Sequence, residues 1–387
     1  MRILYIYSSI AVLAGMERIL TDKMNYLAEY LGYDVSLITY EQGEHPLAYR
    51  LSPLVHHEDL GVLLYTKSRY PMRKRLGVYR NMRKTFEKKL DDAIERMSPE
   101  IIVLTNLSYP VLDIILRAPG NHKYIIESHL SKEYALKNNH YSRLSVLRYL
   151  VHIYNYYMLR QFKRADVLVT LTEEDRKKWK HIVPTCVIPN LLTEFPSDTS
   201  GLEQKRVISV GRLHMQKGYD LLIQAWAIVA LKHKDWQLDI YGSGALRPEL
   251  ERLVELNNLK SSILLHEATS DIYQEYLNHS IYVMSSRYEG FGLVLVEAMS
   301  CGLPCISFDC PSGPAEIIRH NENGLLVENG DIEEMASAIS YLMTNEEERK
   351  RIGMEARQSV SRYSKDEIMQ RWDTLFKSIL SGETDLR

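Results

Sequence analysis

The sequence predicts an α/β protein of two Rossmann-like domains, each a parallel sheet covered by helices. Three observations carry this. Short apolar runs alternate with longer amphipathic segments along the chain, the pattern of parallel strands joined by crossover helices. The alternation pauses at the polar stretch Ser197-Asp198-Thr199-Ser200-Gly201 and then restarts. The length, 387 residues, suits two ordinary cores and is too great for one.

The first strand is Ile3-Leu4-Tyr5-Ile6-Tyr7. A signal peptide could also begin this way, but the apolar stretch runs directly into helical periodicity without a cleavage-like ending. Buried strands are expected at 34–39, 101–105, 124–126, 167–171 and 186–188, with covering helices at 16–31 and 76–97. The boundary falls at 190–203. Beyond it, strands at 206–210, 237–241, 263–266, 281–285 and 304–308 alternate with helices at 220–232, 248–256, 272–278 and 293–301. Helices at 333–342 and 346–363 complete this half. In the last one, 366–380, Ile368, Trp372, Leu375 and Ile379 are spaced 4, 3 and 4, so one face needs burial. The expected domains are 1–195 and 203–362, followed by a helical segment at 363–387.

Apolar residues make up 45% and charged residues 25%, close to an average globular protein. Forty-eight Lys and Arg against 50 Asp and Glu leave a net charge of −2, which gives no pointer to nucleic acid as a partner. No run of about 18 apolar residues occurs, so no spanning helix is expected. Cys301, Cys305 and Cys310 are spaced four and five apart and Cys186 stands alone, which is not a zinc pattern. Free thiols in a reducing cytoplasm are the plain reading.

The most informative segment runs Glu289-Gly290-Phe291-Gly292-Leu293-Val294-Leu295-Val296-Glu297, after a strand and into a helix. Gly290 and Gly292 permit unusual dihedrals and close backbone approach. The helix start offers unpaired N–H groups and the positive end of the dipole, which suits a diphosphate. The carboxylates on either side, Glu289 and Glu297, are poor phosphate ligands but good acceptors for sugar hydroxyls. A second segment, Val210-Gly211-Arg212-Leu213-His214-Met215-Gln216-Lys217-Gly218, also follows a strand. There Arg212 can grip phosphate oxygens in a fork and Lys217 can act as a mobile point charge. A single Gly-x-Gly is weak, and an Arg–Lys pair on a loop is usually just solvated. Both at strand ends of one sheet, where open α/β sheets bind ligands, make a selective combination.

With these residues in view, the chain resembles the retaining glycosyltransferases of family four, which have the GT-B fold and an E-x7-E motif, here Glu289 to Glu297. The resemblance extends to Val187-Ile188-Pro189-Asn190, to Asp309-Cys310-Pro311-Ser312-Gly313-Pro314-Ala315-Glu316 and to Asn323-Gly324-Leu325-Leu326-Val327. It implies two Rossmann-like domains facing a central cleft, with the last helix crossing back to the N-terminal domain. It also implies roles. Arg212 and Lys217 would bind the donor diphosphate, Glu297 the ribose hydroxyls and Glu289 the transferred sugar. Backbone groups from Phe291 through Leu293 to Val294 would complete the cradle, and His266 and Glu267 fall where the family holds the base. A surface turn is the competing reading of those last two.

The N-terminal half matches less tightly. Ala14-Gly15-Met16-Glu17-Arg18 stands where relatives have two glycines, so Gly15 keeps the close approach and Ala14 replaces the first glycine. His129 follows a strand and matches a family histidine that bonds the donor sugar or positions the acceptor. Taken alone, a loop histidine is an ordinary polar surface residue. Between Lys67 and Lys89 lie ten Lys or Arg and one acid, with apolar residues at Met72, Leu76, Tyr79, Met82, Phe86 and Leu90 in helical register. Two readings stand: a basic amphipathic helix on the inner face of the plasma membrane, or a core helix with a solvated basic face. The tyrosine-rich stretch 141–157 reads as packing, with acceptor contact as its alternative.

The resemblance thus implies transfer of a hexose or N-acetylhexosamine from a nucleotide diphosphate sugar to a glycan or lipid-linked acceptor, with retention. UDP is favoured over GDP on family frequency. No cofactor is expected beyond this co-substrate. No Asp-x-Asp is present, so the two cations and the helix dipole stand in for a divalent metal. The rivals are a silent sugar-binding protein of the same fold and a nucleotide-sugar epimerase or hydrolase. A nicotinamide dehydrogenase is disfavoured, since residues 8–15 lack Gly-x-Gly-x-x-Gly.

Overall fold

The computed structural model describes residues 1–12, 14–105, 111–129, 131–132 and 146–383. They divide into two units, Met1–Pro189 together with Ile368–Arg387, and Asn190–Glu367.

The first unit is a seven-stranded sheet: β1 (Arg2–Tyr7), β2 (Asp34–Thr39), β3 (Val55–Asp59), β4 (Ile101–Thr105), β5 (Lys123–Ser128), β6 (Val167–Thr170) and β7 (Thr185–Val187). Their order is β3-β2-β1-β4-β5-β6-β7, and every pairing is parallel. The central strands are buried along almost their whole length, as Val/Ile/Leu runs must be when helices cover both faces. The second unit repeats the arrangement with β8 (Arg206–Val210), β9 (Gln237–Tyr241), β10 (Ile263–His266), β11 (Ile281–Met284), β12 (Cys305–Phe308) and β13 (Leu325–Val327). The order is β10-β9-β8-β11-β12-β13, again all parallel. Each unit has its own core, and Trp226, Ile240, Val283 and Phe308 belong to the second.

The polar stretch at 197–201 is not a free linker. Arg357 reaches the carbonyl oxygens of Pro196 at 2.6 Å and Asp198 at 3.3 Å, and Leu192 N–H donates to Tyr363 O at 2.7 Å. These bonds fasten 190–202 to the second unit, so the division falls at Pro189. The expected helix at 346–363 tightens partway, into Glu346–Ser359 and a 3₁₀ turn Val360–Tyr363.

The C-terminal helix, Lys365–Ser381, buries Ile368, Trp372, Leu375 and Ile379, the face its spacing marked out, and from Ile368 onward it belongs to the first unit. The Tyr33 hydroxyl donates to Asp373 on it. The basic helix begins earlier than expected and runs Met72–Met97. Its later half packs through Phe86, Leu90, Ala93 and Ile94. Met72 and Leu76, in the same register, are 81% and 79% exposed. In the tyrosine-rich stretch, 141–145 lie outside the described residues, and Tyr156 and Tyr157 are exposed on the helix Val146–Phe162.

Candidate active site

In the second sheet the chain runs outward from β8 to β9 and β10, then returns to place β11 on the other side of β8. The loops leaving β8 and β11 therefore diverge, and the crevice outside their carboxyl ends is where open α/β sheets take ligands. Both motif segments lie there. Gly211–Gly218 leaves β8, and Ser285–Gly292 leaves β11 and enters the helix Leu293–Ser300.

The two loops are bonded into one surface. Ser285 Oγ donates to Lys217 O at 2.9 Å, Arg287 N–H to Gln216 O at 2.8 Å, and Gln216 Nε2 to Tyr288 O at 3.1 Å. Arg287 also donates to Met215 O and forks onto both oxygens of Asp220 at 2.8 and 2.6 Å. Gly218 is left-handed (φ +63°), and a Cβ there would lie 2.1 Å from the Ser285 carbonyl oxygen, so only glycine lets the loops close up. The loop after β12 joins them, with Glu289 N–H donating to Pro311 O at 3.2 Å. Gly292, at φ +97°, is the N-cap that turns the chain into the helix.

Within this surface Lys217 Nζ donates to Glu289 Oε1 at 2.7 Å, and Ser286 Oγ donates to the same oxygen at 2.6 Å. Glu289 is buried and Lys217 half-buried. Arg212 is exposed on the same loop. Glu297 is buried on the helix that Gly292 opens, and Gly290, Leu293 and Val294 are half-buried at its start. The Phe291 ring turns inward, edge-on to Tyr363 at 5.3 Å, leaving its backbone to the loop.

His266 and Glu267 stand at the end of β10 and are joined to the Gly211 loop through the turn after β9: Gly242 N–H donates to His266 O at 3.2 Å, Ser243 Oγ to Glu267 Oε2 at 2.9 Å, and Leu213 N–H to Ser243 O at 2.9 Å. β10 is an edge strand, two removed from β8. His266 Nε2 lies 2.6 Å from the buried Asp239 carboxylate, and its ring stacks on Tyr241 at 4.3 Å. Glu267 is exposed, 3.1 Å from Arg247. Gly15 and His129 belong to the first unit: Gly15 opens the helix Gly15–Glu29, and His129 Nε2 lies 3.0 Å from Glu127 Oε2 just past β5.

Sequence reasoning missed the residues that hold the loops, above all Ser285, Ser286, Arg287 and Asp220. A signal existed, since Ser285-Ser286-Arg287 puts three polar residues straight after a buried strand. The four cysteines are free, and among the described residues no cluster of His, Cys, Asp or Glu could hold a metal ion. Nor is any described helix long and apolar enough to cross a membrane.

Comparison with known proteins bears on the fold. Residues 193–359 match the family model "Glycosyl transferases group 1". An uncharacterized glycosyltransferase of Haemophilus influenzae is 28% identical over 362 residues, covering 92% of this chain and 95% of that protein. The poly(ribitol-phosphate) alpha-N-acetylglucosaminyltransferase of Staphylococcus aureus is 32% identical over 226 residues, 57% of this chain and 46% of that protein, so this chain spans under half its length. A variant of S. aureus TarM, crystallised with fondaparinux, alpha-GlcNAc-glycerol and UDP, superposes with a TM-score of 0.75 at 16% identity, covering 98% of this chain and 100% of that one, a likeness of fold alone. The fold is therefore that of these neighbours, two Rossmann-like units, and the glycosyl transferases group 1 match lies within the second unit.

Proposed function

We propose that this protein transfers a hexosyl or N-acetylhexosaminyl group from a UDP-sugar to a hydroxyl of a glycan or lipid-linked acceptor, with retention, in the building of a surface polysaccharide. What carries the reading is the pairing of Lys217 with Glu289 beside the left-handed Gly292 turn, at the switch point of the second sheet. One cation, one carboxylate and one helix start converge there, which is the equipment for a diphosphate with a sugar attached.

In this mechanism Arg212, Lys217 and the N–H groups at the helix start hold the diphosphate. Glu289 and Glu297 accept hydrogen bonds from sugar and ribose hydroxyls. The bond from the anomeric carbon to the β-phosphate oxygen breaks while the acceptor oxygen bonds the same face, and that phosphate oxygen takes the acceptor proton. Charge grows on the departing UDP, and groups already aimed at it lower the barrier without reorganising. They do what a divalent ion does in other transferases.

A lipid-linked acceptor fits the first unit. Met72 and Leu76 are exposed among Arg73, Lys74 and Arg75, an apolar and basic tip suited to an anionic bilayer surface. Peripheral contact with a membrane through this tip belongs to the same proposal.

The test is thermal. A ligand that binds only the folded state raises Tm, so UDP should raise it in the wild type and not in Arg212→Ala. No shift with UDP at 100-fold excess over protein would sink the reading.

A further inference from the structure

In the first unit a lysine, a glutamate and a histidine meet in the interior. Lys23, on the helix Gly15–Glu29, is 2% exposed, and Glu127, near the end of β5, is 3% exposed. The Lys23 ammonium pairs with Glu127 Oε1. The other oxygen, Oε2, lies 3.0 Å from His129 Nε2, on an imidazole only 6% exposed. Trp372, from the C-terminal helix, covers the ammonium, with its ring centroid 3.9 Å from Nζ. The Tyr5 ring lies at 5.5 Å.

A tie within the core is a weak reason for such a pair, because apolar side chains of similar volume often serve stability as well or better. The geometry has a more specific result. Burial alone would raise the Glu127 carboxyl, but Lys23 and His129 outweigh it and hold the group below the ordinary carboxylate range. An ionised carboxylate only accepts hydrogen bonds. His129 must therefore donate from Nε2, which leaves Nδ1 as the acceptor whenever the ring carries a single proton. No hydrogen bond joins Nδ1 to another side chain among the described residues. The residue stands one step past β5, at the end of the sheet where ligands bind.

We propose that Glu127, held by Lys23, is the positioning residue for His129, fixing the tautomer and ring direction that offer Nδ1 to a substrate hydroxyl. The relation is that of an outer carboxylate to a ligating histidine. The C-terminal helix takes part by sealing the ammonium from water through Trp372. This inference rests on the glycosyltransferase reading above.

Two measurements on the full chain test it. Nitrogen-labelled histidine reports the tautomer, with His129 assigned through the signals lost in His129→Gln. A neutral ring protonated on Nε2, its N–H protected from exchange at least tenfold more than in Glu127→Gln, is expected. Release of UDP from UDP-N-acetylglucosamine and UDP-glucose is the second. Glu127→Gln and Lys23→Met should lower kcat roughly 10- to 100-fold while the Kd for UDP stays within about twofold. Lys23→Arg should recover most of the rate, which a purely structural role would not require. A proton on Nδ1, or a wild-type kcat in Glu127→Gln, overturns the proposal. Failure of UDP to bind the wild type sinks the donor-site reading instead. In that case, or if neither sugar turns over, the tautomer decides this one. If Glu127→Gln does not fold, the wild-type tautomer and the two Lys23 variants decide.

Discussion

Lys217 and Ser286 both donate to Glu289 Oε1, so on the proposed reading a diphosphate would draw the ammonium away while Ser286 keeps hold of the carboxylate. Glu289→Gln keeps the shape and that serine contact but removes the charge that, on the proposed reading, accepts from the sugar. Arg212→Ala deletes an exposed side chain with no packing role. Each should therefore leave Tm within a few degrees of wild type and cost about 10²-fold or more in kcat/KM, the scale of one lost transition-state contact. The assay is to be run in EDTA, because on the proposed reading the cations take the metal's part. Near-normal turnover in both variants, or activity lost to EDTA and restored by manganese, would contradict the assignment. The two strand-end loops that carry Arg212, Lys217, Glu289 and Glu297 were legible because each signal is local. The Arg287–Asp220 fork and the Lys23–Glu127 pair join residues 67 and 104 apart, so only the topology brings them together. Even there a trace existed: Lys23 falls among Leu20, Met24 and Leu27, on the apolar face of its helix.

Among the elements, β9 carries the most heavily used carboxylate of the second sheet. Asp239 is fully buried and accepts from Arg206 on β8 at 3.0 Å, His266 on β10 at 2.6 Å and His279 at 3.2 Å. Burial would raise its pKa, but these three donors hold it down to about 2. The fold thus favours the ionised form. The stabilisation is complete above the ordinary value of 3.8 and is lost as the pH falls through about 2. Asp239→Asn should cost about 3 kcal/mol at neutral pH and flatten the acid limb between pH 4 and 2 in urea titrations. An unchanged limb would count against it. On the helix Met72–Met97 the exposed tip makes its own prediction. At about 1 kcal/mol per basic residue near an anionic surface, changing Arg73, Lys74 and Arg75 to Gln should weaken binding to phosphatidylglycerol vesicles roughly 100-fold. Equal sedimentation with neutral phosphatidylcholine would defeat it. The strands that escaped the sequence reading, β3 and β13, are both sheet edges. Val55-His56-His57-Glu58-Asp59 is polar because half of it faces water, and Leu325–Val327 is too short to register as a run. Central strands were legible because burial on both faces forces a continuous apolar sequence.

The whole molecule is two units with similar sheets, one unit made from two separated stretches of chain. Ile368, Met369, Trp372, Leu375, Phe376 and Ile379 are buried on a helix that otherwise belongs with residues 1–189. At about 1.5–3 kcal/mol for each large apolar side chain, their sum rivals the roughly 5–15 kcal/mol that holds an ordinary domain folded. A chain ending at Glu367 should therefore lose hydrogen-exchange protection across 1–189 and keep it in the 190–367 core. Uniform loss, or none, would show that the helix does not serve the first unit in particular. The same arrangement has a consequence during synthesis. The first 189 residues leave the ribosome roughly 10 to 40 seconds before their last helix, while 190–367 is still being translated. For that interval the seat of Trp372 and Phe376 stands open, so the front half can close its core only once residues 365–381 have been made.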